Sequence, residues 1–201
     1  KKNILDNETE IFPIKDKFRI LVPGSYYQHK NLERIILALS EVKKNPYYPQ
    51  NLEIVFTIPK ESMDWKNLLI LAENNTVKEL ISTAGFVPNA RFAELYLQSN
   101  AIICASLVES STAVFFFFFL ANRPLLVSDR PFAKELCEDA ALYFDPLDEK
   151  SIANAIIKLA TDEKLQLLLV ENGKKVLLKN YPSAEQKWLM QKNLITRLYS
   201  G

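Results

Sequence analysis

The chain has 201 residues, which allows one domain, or one and a half at most, and a core that needs no staples. Apolar residues make up 48% and charged residues 24%, values that exclude intrinsic disorder and collagen-like architecture. The 25 basic and 24 acidic side chains nearly cancel, so no nucleic acid or other polyanion is implied as a partner. Two cysteines, Cys104 and Cys137, and one histidine, His29, exclude a disulfide framework, a four-ligand zinc site and any multi-histidine metal centre. The expectation is a soluble, ligand-binding domain from a reducing compartment.

Residues 1–16 are polar and unpatterned and read as a linker or N-terminal tail. The first residues mix both charges and lack the apolar stretch of a signal peptide. Starting at Lys1 rather than a methionine, the chain reads as a fragment or a processed chain. Phe18 to Val22 is a short apolar run closed by Pro23-Gly24, the signal of a buried strand. Asn31 to Lys44 carries Leu32, Ile35, Ile36, Leu39 and Val42 at helical spacing, and Pro46 and Pro49 force a loop after it. Leu52 to Ile58 reads as a second strand and Trp65 to Glu73 as a helix. Ile81 to Phe86 reads as a third strand, interrupted at Gly85, and Arg91 to Gln98 as a short helix. Ala101 to Cys104 reads as a fourth strand, with a helix from Ala113 to Ala121 behind it. Leu125 to Val127 and Leu142 to Phe144 read as strands five and six, separated by Pro131 to Cys137.

Helices then take over. Asp148 is a cap for a helix to Leu159, and Asp162 or Thr161 for one ending near Asn180. Ser183-Ala184-Glu185-Gln186 has the form of a capping box, opening a last helix whose apolar side includes Trp188, Leu189, Leu194, Ile195 and Leu198. Short, continuously apolar strands alternating with helices imply an α/β fold with a parallel sheet covered on both faces. The longest apolar run, Thr112 to Ala121, is about half the length of a membrane-spanning helix, so no integral membrane segment is expected. It contains five consecutive phenylalanines, Phe115 to Phe119. A helix apolar all round is expected to be buried on all sides, centrally or under a partner this chain lacks.

In such a sheet, ligands bind at the carboxyl ends of the strands where strand order reverses. Two loops qualify as anion sites. Gly24 to Asn31 puts a glycine at a strand end and His29-Lys30 at a helix start, where backbone N–H groups, the helix dipole and a lysine suit a phosphate. It has neither the three glycines of a dinucleotide fingerprint nor the Gly-Lys-Ser/Thr ending of a Walker loop, and Lys30 also reads as a solvated helix-start lysine. Ser106 to Val114 places Glu109 at a strand exit before small residues that open a helix. The N–H groups of Ser111, Thr112 and Ala113 could hold an anion and Glu109 accept from sugar hydroxyls; equally, Ser111 or Thr112 caps the helix.

In order, these pieces resemble the C-terminal, nucleotide-sugar-binding half of the retaining GT-B-fold glycosyltransferases (group 1, or family 4 type). The resemblance runs from Phe18 to about Tyr181. It rests on Gly24 followed by His29-Lys30-Asn31-Leu32, on Gly85-Phe86-Val87 before Glu94-Leu95-Tyr96, and on Ala105-Ser106-Leu107-Val108-Glu109. Asn122-Arg123-Pro124-Leu125, Ser128-Asp129, Glu135, Ala140-Ala141-Leu142 and Asp145-Pro146 follow in the family's order. It implies a Rossmann-like doubly wound sheet over residues 17–182 with extra C-terminal helices, and a helix at 183–201 that packs on an absent N-terminal domain.

The resemblance also implies transfer of a sugar from a nucleotide diphosphate sugar, with retention and without metal or other cofactor. His29 and Lys30 would hold the diphosphate, Gly24 allow its close approach, and Phe86 and Val87 lie against the base. Glu109 would contact the donor sugar, and the backbone near Ser111, Thr112 and Ala113 the sugar and phosphate; Lys30 and Glu109 would be the catalytic pair. The acceptor, a glycan or lipid-linked glycan, would be held by the absent half, leaving this chain inactive alone. The implied location is the cytoplasm, including the inner face of the cell membrane. Two positions depart from the pattern. The basic residue before Lys30, commonly arginine, is His29, and a second glutamate that binds ribose is replaced by Phe117. If Phe117 turns into the core, Phe115 and Phe119 are the candidates for a surface the missing domain covers. These departures motivate an alternative, a non-catalytic nucleotide-binding or protein-interaction module of the same fold. An epimerase-like relative is the third reading, disfavoured by the single histidine.

Overall fold

The computed structural model describes residues 16–109, 113–182 and 184–199. Six strands, β1 (Phe18–Val22), β2 (Leu52–Phe56), β3 (Ile81–Thr83), β4 (Ala101–Cys104), β5 (Leu125–Ser128) and β6 (Ala141–Phe144), form one sheet in the order β3-β2-β1-β4-β5-β6. All neighbours run parallel, with Ile20 opposite Ile54 on one side of β1 and Ala101 on the other. The connections are α1 (Leu32–Lys44), α2 (Met63–Asn74), α3 (Phe92–Leu97), α4 (Ala113–Leu120) and α5 (Pro131–Cys137). After β6 come α6 (Glu149–Thr161), α7 (Glu163–Asn180) and α8 (Ala184–Tyr199). The sheet is therefore doubly wound and Rossmann-like, with strand order reversing between β1 and β4.

The period-2 side-chain alternation of each strand builds two cores. Ile20, Ile54, Ile103 and Leu126 face the layer of α1, α2 and α6. Leu21, Val55, Ile102, Leu125 and Val127 face that of α3, α4 and α5. The longest described helix, α7, which follows the sheet, serves both, with Leu169 in the first core and Val176 in the second. Arg19 is buried on the central strand and is answered by Glu53 at the register position beside it, 2.9 Å away, which assigns that charge to structure.

Several boundaries differ from the sequence reading, each for a local reason. The second strand stops at Phe56 because the Thr57 hydroxyl turns to the chain at Gly24, both accepting from its N–H (2.8 Å) and donating to its carbonyl (3.0 Å). The third stops at Thr83, whose hydroxyl accepts from the Gly85 N–H as Gly85 takes φ +74°. The interval Pro131 to Cys137 is itself a helix, with proline at its first position where no N–H is needed. Asp148 caps α6 and Asp162 caps α7, each accepting a first-turn N–H; Thr161 instead donates back to Ile157. The cap expected at Ser183, and the tail over residues 1–15, lie outside the described residues. The apolar side of α8, including Trp188, Leu189, Leu194 and Ile195, is exposed.

The phenylalanine run is not buried on all sides. Phe115, Phe118 and Phe119 are buried in the second core and Phe116 lies on the Tyr181 ring at 5.3 Å, but Phe117 is 50% exposed. The expectation for Phe115 and Phe119 as surface residues is thus reversed. A helical turn of 3.6 residues points 115, 118 and 119 to one side and leaves 117 opposite. Room for Phe119 comes from Gly173 of α7, where an added Cβ would stand 2.9 Å from the ring.

Candidate functional site

The strand-order reversal sets the carboxyl ends of β1 and β4 side by side, and the two loops that leave them meet there. Gly24 leaves β1 at φ +113°, a conformation natural to glycine, and nothing within 4 Å would touch a Cβ there. The chain then runs to a single 3₁₀ turn, Gln28–Lys30, so His29 and Lys30 precede α1 rather than opening it. Asn31 joins the two at φ 57°, ψ 38°, a left-handed position that asparagine tolerates.

That residue is the fastening of the site. Its side-chain amide donates to the Pro146 carbonyl beyond β6 (2.7 Å) and to the Ala105 carbonyl beyond β4 (3.3 Å). One residue pair away, the Leu107 N–H donates to the His29 carbonyl at 2.8 Å. The β1 and β4 loops are therefore hydrogen-bonded together on both sides of Lys30, which brings its side chain beside Glu109. Its ammonium donates to Glu109 Oε1 at 2.5 Å, and the Ser106 hydroxyl donates to the same oxygen at 2.6 Å. Solvent reaches only 18% of the lysine side chain and 12% of the glutamate, so the pair is mostly covered. Beneath Lys30 lies a cavity of about 20 Å³, large enough for one water, lined by Val22, Pro23, Cys104, Ser106 and Phe118 among others.

Of the residues singled out in sequence, Lys30 and Glu109 thus come together at the reversal point, the His29 carbonyl is tied to the β4 loop, and Gly24 stands at the exit of β1, bonded to Thr57. His29 is half-buried and its ring stacks on Tyr27, with centroids 5.6 Å apart. Ala113 opens α4, whereas Ser111 and Thr112 lie outside the described residues. Phe86 and Val87 follow β3 and differ from each other: Phe86 is 78% exposed, Val87 is buried in the second core and offers only its backbone. Two contributors escaped the residue-by-residue reading. Asn31 was legible, because an asparagine just before a helix is a residue that tolerates the left-handed region; Ser106 had no signal beyond its place in the Ser-x-x-Glu segment.

Phe117 lies apart from this pair, in an apolar groove of about 620 Å³ between α3 and α4 lined by Phe92, Ala93, Tyr96, Leu97 and Leu120. Among the described residues no cluster of three or more His, Cys, Asp or Glu has the arrangement of a metal site. Nor is any described helix long and apolar enough to cross a membrane.

With this geometry the chain compares directly with known proteins. The family model described as "Glycosyl transferases group 1" matches residues 6–176. The chain belongs to that family. Among solved structures, sucrose-phosphate synthase of Thermosynechococcus elongatus superposes with a TM-score of 0.75 at 18% identity, over 93% of this chain and 47% of that one. HepE of Anabaena, solved in complex with UDP and glucose, gives 0.74 at 15% identity, over 90% of this chain and 49% of that one. The C-terminal domain of the group 1 glycosyl transferase LpcC from Francisella tularensis gives 0.70 at 18%, over 84% and 88%. The chain spans about half the length of the first two, so these likenesses show the fold, that of one GT-B half. No curated protein matches the chain in sequence.

Proposed function

We propose that this chain is the donor-binding half of a glycosyltransferase that moves a sugar from a nucleotide diphosphate sugar to an acceptor hydroxyl, with retention of configuration. The observation that carries the proposal is the fastened, mostly covered Lys30–Glu109 pair at the strand-order reversal of a group 1 family member. In the reaction the bond from the anomeric carbon to the diphosphate breaks, the acceptor oxygen bonds to that carbon, and the hydroxyl proton leaves with the diphosphate. Lys30 keeps two N–H donors beyond the one given to Glu109, and these supply positive charge where the leaving group becomes negative. His29 and the backbone at Ala113 complete the cradle, which Gly24, having no side chain, lets a phosphate approach closely, with Ser111 and Thr112 beside it in sequence. Because protein groups neutralise the diphosphate, the reading is metal-independent, with no further cofactor. Glu109 takes the sugar hydroxyls; the base lies by the backbone of Phe86 and Val87.

Residues 17–182 form the donor domain in this reading, and 183–201 pack on an N-terminal half that holds the acceptor, a glycan or lipid-linked glycan. The exposed apolar side of α8 supports that last assignment. The chain alone binds donor and does not turn over, and the reaction belongs to the cytoplasm or the inner face of its membrane. That HepE is solved with UDP and glucose makes UDP and UDP-glucose the first probes. One observation favours a second reading, a non-catalytic interaction module: Phe117 stands exposed in an apolar groove.

Calorimetry of the chain with UDP, ADP and GDP and their glucose conjugates tests the proposal. Binding of one family of ligands is expected, weakened about tenfold or more by Lys30→Met, as befits a lost charged hydrogen bond. Absence of binding by all six at millimolar concentration would refute the donor site and leave the interaction module.

A further inference from the structure

The oxygens of Glu109 are not equivalent. Oε1 accepts from both Lys30 Nζ (2.5 Å) and Ser106 Oγ (2.6 Å), which fills its two lone-pair directions. Among the described residues no hydrogen bond reaches Oε2. Ser106 is itself 1% exposed, so bulk solvent does not compete for its hydroxyl. Its hydroxyl has a single proton, and a carboxylate can only accept, so that proton lies on the bond to Glu109. The Cys104 sulfur, 3.5 Å from Ser106 Oγ, must then be the donor in that contact. Burial pushes the Cys104 thiol up, which keeps its proton in place.

We infer that Ser106 is a positioning residue for donor recognition: its buried hydroxyl, supported by the Cys104 thiol, pins Glu109 Oε1 against Lys30 and so leaves Oε2 as the acceptor presented to a sugar hydroxyl. The inference rests on the donor-site reading above and adds to it a reason for glycosyl selectivity. Lys30 alone restrains the carboxylate through one flexible four-carbon stem, free to follow the phosphate it binds. Ser106 is fixed by backbone at the exit of β4 and holds the carboxylate at a second point, so the carboxylate cannot rotate with the lysine. A bare nucleoside diphosphate does not need this restraint, whereas a nucleotide sugar does.

The test is Ser106→Ala measured against UDP and UDP-glucose in the full chain, beside the crystal structure of the ligand-free variant. UDP-glucose affinity is expected to fall about tenfold while UDP affinity changes less than twofold, and Cys104→Ala should move the same ratio in the same direction by a smaller factor. In the crystal, Glu109 is expected to abandon the geometry that pins Oε1 between residues 30 and 106. Equal losses for the two ligands would mark Ser106 as merely structural, and a Glu109 carboxylate unmoved in the variant crystal would overturn the positioning role. If the unsubstituted chain binds an adenine or guanine pair instead, that pair replaces UDP and UDP-glucose in the test; if it binds none of the six ligands, the function proposed above fails, and the crystal comparison still decides whether Ser106 holds Glu109.

Discussion

A double-mutant cycle on Lys30 and Glu109 measures whether the site is organised before any ligand arrives. At 2.5 Å the gross attraction of the pair is roughly 7 kcal/mol for an effective dielectric of about 20. Exposures of 18% and 12% admit some solvent screening, which brings the expected coupling down to about 2 kcal/mol, within the range for a hydrogen bond between charged groups. Lys30→Met should cost about 2–3 kcal/mol, because it leaves a covered carboxylate with Ser106 as its remaining donor. Glu109→Gln should cost less, since the amide oxygen still accepts from both neighbours. Together they should cost about 2 kcal/mol less than the sum. Urea unfolding of the four proteins at neutral pH reads all three quantities, and repetition in 1 M salt should change the coupling little, because the pair is mostly covered. Effects additive to within about 0.5 kcal/mol would refute the reasoning: the pair would then be a loose surface contact, and the ammonium would not be preset for an anion.

Two further outcomes follow from packing and burial. Gly173→Ala gains about 1 kcal/mol of helix propensity but drives a Cβ to 2.9 Å from the buried Phe119 ring, so urea unfolding should show a net loss of about 1–2 kcal/mol, partly recovered in combination with Phe119→Leu. Tyr26 is pushed up to about 12 mainly by its hydrogen bond to Glu33, and Tyr96 to about 12 by burial. These raised values contribute stability that is complete below the unfolded value near 10 and is lost as pH climbs through 12, so unfolding monitored from pH 9 to 12 should show a decline that Tyr26→Phe makes shallower.

The legible part of the fold was the part set by local pattern. Five-residue apolar runs such as Phe18–Val22, each ended by proline, glycine or a polar turn, announce buried parallel strands, and Ile35, Ile36, Leu39 and Val42 announce the face of α1. What local pattern misses is where tertiary partners cut an element short. Thr57 and Ile58 have the composition of strand residues, but their hydroxyl and carbonyl are claimed by Gly24 and Thr83. Glu138 carries no turn signal at all, yet it sits at φ 48°, ψ −119°, its carbonyl taking the Tyr143 hydroxyl and its carboxylate Lys179 and Asn180. The two carboxylate contacts are 41 and 42 residues away, out of reach of any window of sequence.

The candidate site divides along the same line. Residue types and loop positions were readable; the state of the side chains was not. Lys30 and Glu109 are 79 residues apart in sequence, and as separate loop residues they suggest separate tasks, phosphate for one and sugar for the other. The sheet order makes β1 and β4 neighbours, and Asn31 and Leu107 then hold the loops close enough for the two charges to pair. The two side chains thus form one hydrogen-bonded unit with Ser106 rather than two separate loop residues. Phe117 shows the converse. As part of a five-phenylalanine run it reads as core, but helical geometry can turn only one side of α4 to the sheet, and three of its neighbours already occupy that side. The fifty per cent of Phe117 left in solvent, beside Leu120 and Phe92, is apolar surface that no described element covers.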